Sequence, residues 1–425
     1  MFSLWARFTC AGVFAFACMA ARATDFTEPR GPLTLSTALN AALQRNHLLR
    51  NADFQLRIVD AQLTQAGLRP NPELGIQLEN FGGSGAVRGT SALESTLSLS
   101  QVIELGGKRQ ARVQAARYGI DNATIEREAA QLDVLAEVTR RFIDVAEAQE
   151  QLYVARGNAA LAQKTFAAIK LRVDAARSPV GEQSRAAIAR GRAQLIEQQA
   201  ESALRTAHRR LAAQWGSSAP QFGDAQTDWF DLPRTESFAA LVARLKTTPS
   251  FLRFTSEARL RDAQWQLAIA QAKSDVTVGA GIRRFDETGD TGFVVNFSMP
   301  IPLANRNQGA IREAALRREQ VAVDEDAAFI TTQANLFEFY QTLEGSRAEV
   351  LRLRDDLIPQ ADAAVKQLRD GYERGRFSYL ELAEAQRELM ELQRAAVAAA
   401  ATFHRALAEI ERLTNTPLIA SKDPQ

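Results

Sequence analysis

Cysteine is nearly absent from this chain of 425 residues. The two cysteines, Cys10 and Cys18, both lie in an apolar segment at the N-terminus. If that segment is removed on maturation, the chain that remains contains no thiol. A disulfide framework and a thiolate site are therefore excluded from the mature protein.

Excess charge and long hydrophobic runs are also missing. The chain has 51 Lys and Arg against 50 Asp and Glu, a net charge of +1, so there is no electrostatic reason to expect a nucleic-acid partner. After the N-terminal segment, no stretch approaches the length of about eighteen apolar residues that is typical of a membrane-spanning helix. We therefore expect no transmembrane helix in the mature chain.

Residues that carry catalysis or bind metal are few and scattered. The three histidines are His47, His208 and His404, and the only methionines after the N-terminal segment are Met299 and Met390. None of them has the spacing of a metal-ligand pair, and no nucleophile–base pair or phosphate-binding loop is present. The sequence predicts neither an enzyme nor a bound cofactor or metal.

The N-terminus has the features of a secretory signal. Arg7 precedes an apolar run over residues 8–20, and Ala21-Arg22-Ala23 supplies small residues for signal peptidase. Residues 1–23 are predicted to be a signal peptide that is cleaved after Ala23. Lipidation at Cys18 is the alternative, and the run is too short to cross a bilayer core of about 30 Å as an anchor.

The rest of the chain, residues 24–425, is a tandem duplication. Matching residues recur about two hundred positions apart, as internal repeats do. The clearest matches are Asp60-Ala61-Gln62 with Asp262-Ala263-Gln264, Ser100 with Ser298, and Glu182 with Glu381. We assign repeat one to residues 33–215, a turn-rich connector to 216–236, and repeat two to 237–415.

Each repeat predicts one moderate helix and two long ones. The helical patterns cover about 35–67, 107–178 and 180–215, then 238–271 with a break at Pro249, 309–372 and 378–413. Apolar residues recur at spacings of three and four, which is the seam of a coiled coil. Pro359 should interrupt its helix near Ile358.

Four short segments alternate apolar and polar residues, at about 73–81, 93–101, 276–285 and 293–299. This alternation over about ten residues is typical of outer-membrane strands, although an ordinary soluble sheet shows it too. Four strands cannot close a barrel, since about eight is the practical minimum, and an open sheet in lipid leaves backbone groups unsatisfied. Membrane strands would therefore require several chains, and three copies give twelve strands.

Two stretches, "PNPELGIQLENFGGSG" and "LSLSQVIELGGKR", resemble the TolC family of outer-membrane efflux ducts. Within that family they are most similar to the outer components of cobalt–zinc–cadmium and copper–silver efflux systems. The resemblance implies a mainly α-helical homotrimer in the bacterial outer membrane, with a twelve-stranded β-barrel on a periplasmic α-helical tube. It also implies two partners, a periplasmic membrane-fusion adaptor and a proton-driven inner-membrane pump.

The function that follows is a passive exit duct for heavy-metal cations. A duct for drugs or for a secreted protein is an alternative within the same class. A soluble periplasmic coiled-coil scaffold or adaptor is an alternative of a different class, but adaptors carry a lipoyl-like domain that this duplicated plan lacks.

Candidate functional residues lie at the turns between the long helices. Glu381 and Glu384 are three residues apart on one helix face, and threefold symmetry would make them two stacked rings of carboxylates that attract cations. In the resembling family, acidic residues occur at these positions of the periplasmic aperture.

The same resemblance suggests a latch that closes the aperture. Tyr372, with Gly375 three residues later, matches the family's tip tyrosine, and Glu182 matches its acidic partner. The family's tip arginine is Phe377 here, so Arg374 and Arg376 are the arginine candidates. The turn residues expected to contact the adaptor are Ala176, Ser178, Pro179, Gly375 and Phe377.

Overall fold

The computed structural model describes residues 26–415. The predicted signal peptide, Cys10, Cys18 and the cleavage position after Ala23 lie outside the described residues.

Nine α-helices and six strands make up this part of the chain. The helices are α1 (Leu35–Arg45), α2 (His47–Gly67), α3 (Lys108–Asp174), α4 (Val180–Ala212), α5 (Phe238–Leu245), α6 (Pro249–Gln271), α7 (Gln308–Arg352), α8 (Ile358–Glu373) and α9 (Tyr379–Thr414). The strands are β1 (Gly31–Leu33), β2 (Glu73–Glu79), β3 (Glu94–Ile103), β4 (Phe222–Ala225), β5 (Val276–Phe285) and β6 (Thr291–Ser298). The mainly helical class with a small β part is confirmed.

The longest helix, α3, has 67 residues and is about 100 Å long at 1.5 Å per residue. It packs along α4, α2, α6 and α9. Its buried side chains are mostly small or β-branched, which allows close helix packing along its length. No helix within residues 26–415 combines the length and the apolar character needed to cross a bilayer.

The helix predicted over residues 35–67 is divided at Asn46. The Asn46 side chain accepts a hydrogen bond from the Leu48 N–H at 2.9 Å, so it caps the start of α2. Its amide nitrogen donates to the Gln214 carbonyl at 2.9 Å, which ties the break to the end of repeat one. The break predicted at Pro249 is confirmed, because this proline is the first residue of α6.

The interruption predicted near Ile358 takes the form of a π-helical turn, Leu353–Leu357, between α7 and α8. Pro359 has no N–H, and its ring would clash with the carbonyl four residues earlier in a regular α-helix. The wider turn relieves that clash, and the Ile358 N–H donates to the Leu353 carbonyl instead.

A four-stranded antiparallel sheet has the order β2-β3-β5-β6. The β3–β5 pairing joins the two halves of the chain, with Thr96 opposite Arg283 and Ser100 opposite Gly279. One face carries a row of exposed large apolar side chains. They include Leu74, Ile76, Leu99, Phe293, Val295 and Phe297, of which Phe293 is 92% exposed.

The connector forms a small second sheet that sequence patterns did not reveal. Strand β4 pairs in parallel with β1, and Phe222 and Trp229 from the connector are buried in the main core. The Trp229 carbonyl lies 3.0 Å from Nε2 of His404 on α9. These contacts hold the connector against both repeats.

Candidate functional site at the helix tips

Two helix–turn–helix tips meet at the end of the molecule far from the four-stranded sheet. The first tip joins α3 to α4, and the second joins α8 to α9. A separate apolar core holds the tips together. Its buried members are Ile169, Ala186, Tyr372, Tyr379 and Leu382.

Each turn contains one residue with positive φ. Ala176 has φ +54° in the first turn, and Gly375 has φ +74° in the second. A left-handed residue at this position is a common way to end a helix, and glycine adopts it without steric cost. The two tips are therefore versions of the same turn.

The structure brings Tyr372 and Glu182 together. The Tyr372 hydroxyl donates to Glu182 Oε2 at 2.9 Å, joining the end of α8 to the first turn of α4. Tyr372 is 6% exposed, and burial together with the neighbouring Glu182 carboxylate raises the pKa of its phenol. The hydroxyl therefore stays protonated and able to donate at neutral pH.

Arg172 also contacts Tyr372 at this site. The sequence did not indicate this residue. Its guanidinium lies 4.9 Å from the centre of the Tyr372 ring and donates to the Glu373 carbonyl at 2.9 Å. Its Nε also donates to Ser178 Oγ at 3.3 Å. A charged residue on a long surface helix has no distinctive sequence signal, so only the packing of the tips identifies it.

The other predicted tip residues are placed differently. Arg374 and Arg376 are exposed, and neither side chain makes a hydrogen bond or ion pair to another residue of 26–415. The Phe377 ring lies directly against Gly371, where a side chain at that glycine would collide with it. Pro179 is the N-cap residue of α4 and supplies no side-chain hydrogen bond.

Glu381 and Glu384 both point away from the tip core and are exposed. Glu381 Oε2 accepts from the Ser378 backbone N–H and hydroxyl, both at 2.8 Å, in a capping box at the start of α9. These hydrogen bonds lower the pKa of Glu381, so it is ionised at neutral pH. Glu384 pairs with Arg387 at 3.1 Å.

A resident metal site is not apparent from these positions. Within the described residues, no group of three or more His, Cys, Asp or Glu side chains converges in an arrangement that could hold a metal ion. His47, His208 and His404 lie on three different helices, α2, α4 and α9.

A profile of the outer membrane efflux protein family matches residues 38–217 and 249–416. The cobalt-zinc-cadmium resistance protein CzcC of Cupriavidus metallidurans is 31% identical over 388 residues, which covers 91% of each chain. The nickel and cobalt resistance protein CnrC of the same species is 28% identical over 62% of each chain.

Solved structures share the fold. A structure of CusC superimposes with a TM-score of 0.74 at 17% identity, covering 92% of this chain and 98% of that one. The outer membrane protein VceC of Vibrio cholerae gives a TM-score of 0.72 at 19% identity, covering 89% and 96%.

Proposed function

Because the chain belongs to the outer membrane efflux protein family and resides in the bacterial outer membrane, we propose that it is the exit duct for heavy-metal cations in a tripartite efflux system. The observation that carries the substrate class is the 31% identity to a cobalt-zinc-cadmium resistance protein over 91% of both chains. CusC retains the fold at only 17% identity. An identity of 31% over almost the full length of both chains therefore supports a shared substrate class in addition to a shared fold.

The duct is a homotrimer with a twelve-stranded barrel. Within residues 26–415, strands β2 and β6 each pair on one side only, and the sheet carries exposed apolar rows. Lipid cannot satisfy the free backbone groups of two open edges, so the sheet requires neighbours. Three copies supply twelve strands, one hairpin from each repeat.

Residues 1–23 act as the export signal, and the mature chain divides into repeat one (33–215), the connector (216–236) and repeat two (237–415). Each repeat supplies one hairpin to the barrel and a pair of long helices to the tube. The β3–β5 pairing, which crosses between the halves, supports this division.

Glu381 and Glu384 form two rings of three carboxylates at the periplasmic aperture. The exposure of both side chains supports this role, and so does the lowered pKa of Glu381, which keeps that carboxylate ionised at neutral pH. Such rings raise the local concentration of cations and exclude anions at a constriction.

The Tyr372–Glu182 hydrogen bond is the latch that keeps the aperture closed. It crosses between the two helix pairs of one chain, so the α8–α9 pair cannot move away from α3–α4 while the bond persists. The adaptor binds the tips at Ala176, Ser178, Pro179, Gly375 and Phe377 and releases the latch, and the pump delivers the cation.

The function is tested by deleting the gene and measuring tolerance to zinc, cobalt, cadmium, nickel, copper and silver. We expect sensitivity to one or more of these cations, rescued by the wild-type chain and only partly by the Glu381→Gln, Glu384→Gln double variant. One relative, at 25% identity, is a pyoverdine export protein, so organic substrates are measured in parallel. Sensitivity to organic compounds alone would exclude the metal assignment.

A further inference from the structure

A cavity of about 680 Å³ lies between α3 and α9, away from the helix tips and the strands. Phe230 of the connector and the π-helical turn Leu353–Leu357 border it, and π turns are often found at functional sites. Its volume is within the range of roughly 300–1,000 Å³ that is typical of small-molecule sites. The larger apolar residues of its wall are Val154, Leu161, Phe230, Ile358, Leu389 and Met390.

Two side-chain hydrogen bonds join α3 to α9 on either side of this wall. Gln151 Nε2 donates to the Arg394 carbonyl at 3.1 Å, and Gln386 Nε2 donates to Thr165 Oγ1 at 3.2 Å. The apolar wall residues of α3 and α9 named above lie between these two bonds in sequence. The cavity is therefore framed by contacts within one chain, and one wall belongs to each helix.

Acidic residues occur at three successive third positions of α3 beside the α9 helix. Arg405 of α9 pairs with Asp144 at 2.8 Å and also pairs with Glu147. Glu150, which lines the cavity, makes no hydrogen bond or ion pair with any residue of 26–415. Burial raises the pKa of its carboxyl, and no neighbouring charge or hydrogen bond opposes that shift. The cavity thus contains a partly desolvated acid that has no cationic partner.

The two arginines of the cavity wall are paired with other carboxylates. Arg156 pairs with Glu201 of α4 at 3.2 Å. Arg354 pairs with Asp355 at 2.8 Å, and its Nη1 donates to the Phe230 carbonyl at 3.4 Å. Since neither arginine reaches Glu150, a cationic ligand would supply the partner that the described part of the chain does not.

The composition of the wall favours an organic cation over a metal ion. Tyr153 and Phe230 line the cavity together with Glu150. Aromatic rings attract ammonium groups, and quaternary ammonium ligands are commonly bound in this way. A metal ion needs several converging ligands, and no group of three His, Cys, Asp or Glu converges within the described residues.

We propose that this cavity binds a small organic cation, with its ammonium group beside Glu150 and its apolar body between α3 and α9, and that the bound cation opposes opening of the aperture. The second part rests on the proposed function, in which opening moves the α8–α9 pair away from α3–α4. A ligand that contacts both α3 and α9 binds best when the two helices are close together. It therefore shifts the equilibrium toward the closed aperture.

The binding site is tested with (4-benzoylbenzyl)trimethylammonium, a benzophenone that has a fixed positive charge. On irradiation the ketone oxygen takes hydrogen from a nearby C–H bond, and the two carbon radicals then join, so that the ketone becomes an alcohol attached to the protein. The control probe is 4-benzoylbenzoate, which has the same two rings and a negative charge. Each probe is added to the full chain in outer membranes, and labelled peptides are identified by mass spectrometry.

We expect the cationic probe to label the peptides of the cavity wall that contain Val154 or Met390, and the anionic probe to leave them unlabelled. This comparison uses the wild-type protein, so it does not depend on the folding of a variant. Absence of labelling at the wall, or equal labelling by the two probes, would exclude a cation site.

The role of Glu150 is tested by Glu150→Gln, which removes the charge and keeps the shape of the side chain. Labelling by the cationic probe should fall about tenfold, because a contact with a charged group is lost. The matched control is Glu128→Gln, which removes an exposed carboxylate of α3 about 33 Å away and should be labelled like the wild type. Undiminished labelling of Glu150→Gln would refute the assignment.

The effect on the aperture is measured in the dark with the cationic probe and Tyr372→Phe channels in planar bilayers. We expect a lower open probability, and we expect the double variant Glu150→Gln, Tyr372→Phe to be insensitive to the probe. A decrease that persists in the double variant would assign the effect to the carboxylates of Glu381 and Glu384 and would overturn the coupling. An open probability that is unchanged at concentrations that label the cavity would overturn it too.

Failure of this proposal is distinguishable from failure of the proposed duct. Labelling requires no conduction, so an unlabelled cavity contradicts the binding site and leaves the duct standing. If neither the wild type nor Tyr372→Phe forms channels, the duct and the effect of the ligand on its aperture are both overturned, and the labelling still decides whether the cavity binds a cation.

Discussion

The two helix tips have the same turn but use their acidic residue differently. In the second tip, Ser378 caps α9, and Glu381 turns back to bind it. In the first tip the corresponding position is Pro179, which has no side-chain acceptor, and the corresponding acid, Glu182, reaches across to Tyr372. Because Pro179 offers Glu182 no side-chain hydroxyl, this carboxylate is available for a contact between the helix pairs.

Breaking that contact should have the largest effect. Tyr372→Phe removes the hydroxyl that donates to Glu182, and a hydrogen bond to a charged group contributes about 1.5–3 kcal/mol. We expect the equilibrium between closed and open apertures to shift toward open by about ten- to a hundredfold. Single-channel recording in planar bilayers measures this as increased open probability and conductance.

Tyr379→Phe is the matched control for this experiment. Tyr379 belongs to the same apolar core, but its hydroxyl makes no hydrogen bond within the described range. If Tyr372→Phe channels behave like Tyr379→Phe channels, the hydrogen bond does not hold the aperture closed.

Making the first tip resemble the second should have an intermediate effect. Pro179→Ser gives Glu182 a local partner and allows a capping box at the start of α4. A serine N-cap contributes about 1 kcal/mol, so competition with Tyr372 should raise the opening equilibrium by about fivefold. Pro179→Ala removes the proline without adding an acceptor, and equal recordings from both variants would show that capping does not compete with the latch.

Removing the cap of the second tip should have the smallest effect, confined to one turn. Ser378→Ala should cost about 1 kcal/mol of local stability, seen as faster amide exchange in the first turn of α9. Channel opening should not change, because the side-chain hydrogen bonds that Ser378 and Glu381 make among residues 26–415 all lie within the first turn of α9.

The pH dependence of amide exchange in the first turn of α9 tests whether Ser378 holds the Glu381 carboxylate. Hydrogen bonds from Ser378 lower the pKa of Glu381 from its ordinary value of 4.5. The stabilisation that Glu381 gives to the first turn of α9 is therefore fully present above pH 4.5, and it is lost as the pH falls through the lowered pKa of Glu381 in the folded protein. In Ser378→Ala this loss should shrink, and an unchanged pH profile would mean that Glu381 is not held by the serine.

The sequence predicted the long elements well because they repeat one simple pattern over many residues. Alternation over β2, β3, β5 and β6, and the proline-free run of α3, needed no knowledge of tertiary contacts. Glu182 and Tyr372 were found through a family resemblance, whereas Arg172 acquires its role only when α3 and α8 pack together. No residue pattern distinguishes it from its neighbours.

Two local features were missed for different reasons. The Asn46 break had a readable signal, an asparagine before an apolar helix start, that the helical periodicity on both sides obscured. The β1–β4 pairing had no readable sequence signal. Strands of three and four residues that lie far apart in sequence are too short to show an alternation of apolar and polar residues. Long-range pairing of short strands depends on the helices that bring them together.

The π turn before Pro359 also determines how the rest of its helix is oriented. An α-helix advances by 100° for every residue, so an inserted residue would ordinarily rotate all later side chains away from their contacts. A π turn absorbs that extra residue within one widened loop of backbone. The buried residues of α7 and those of α8 can thus lie on different faces of one nearly continuous helix. Tyr372, near the end of α8, therefore remains directed into the tip core although Pro359 interrupts the helix.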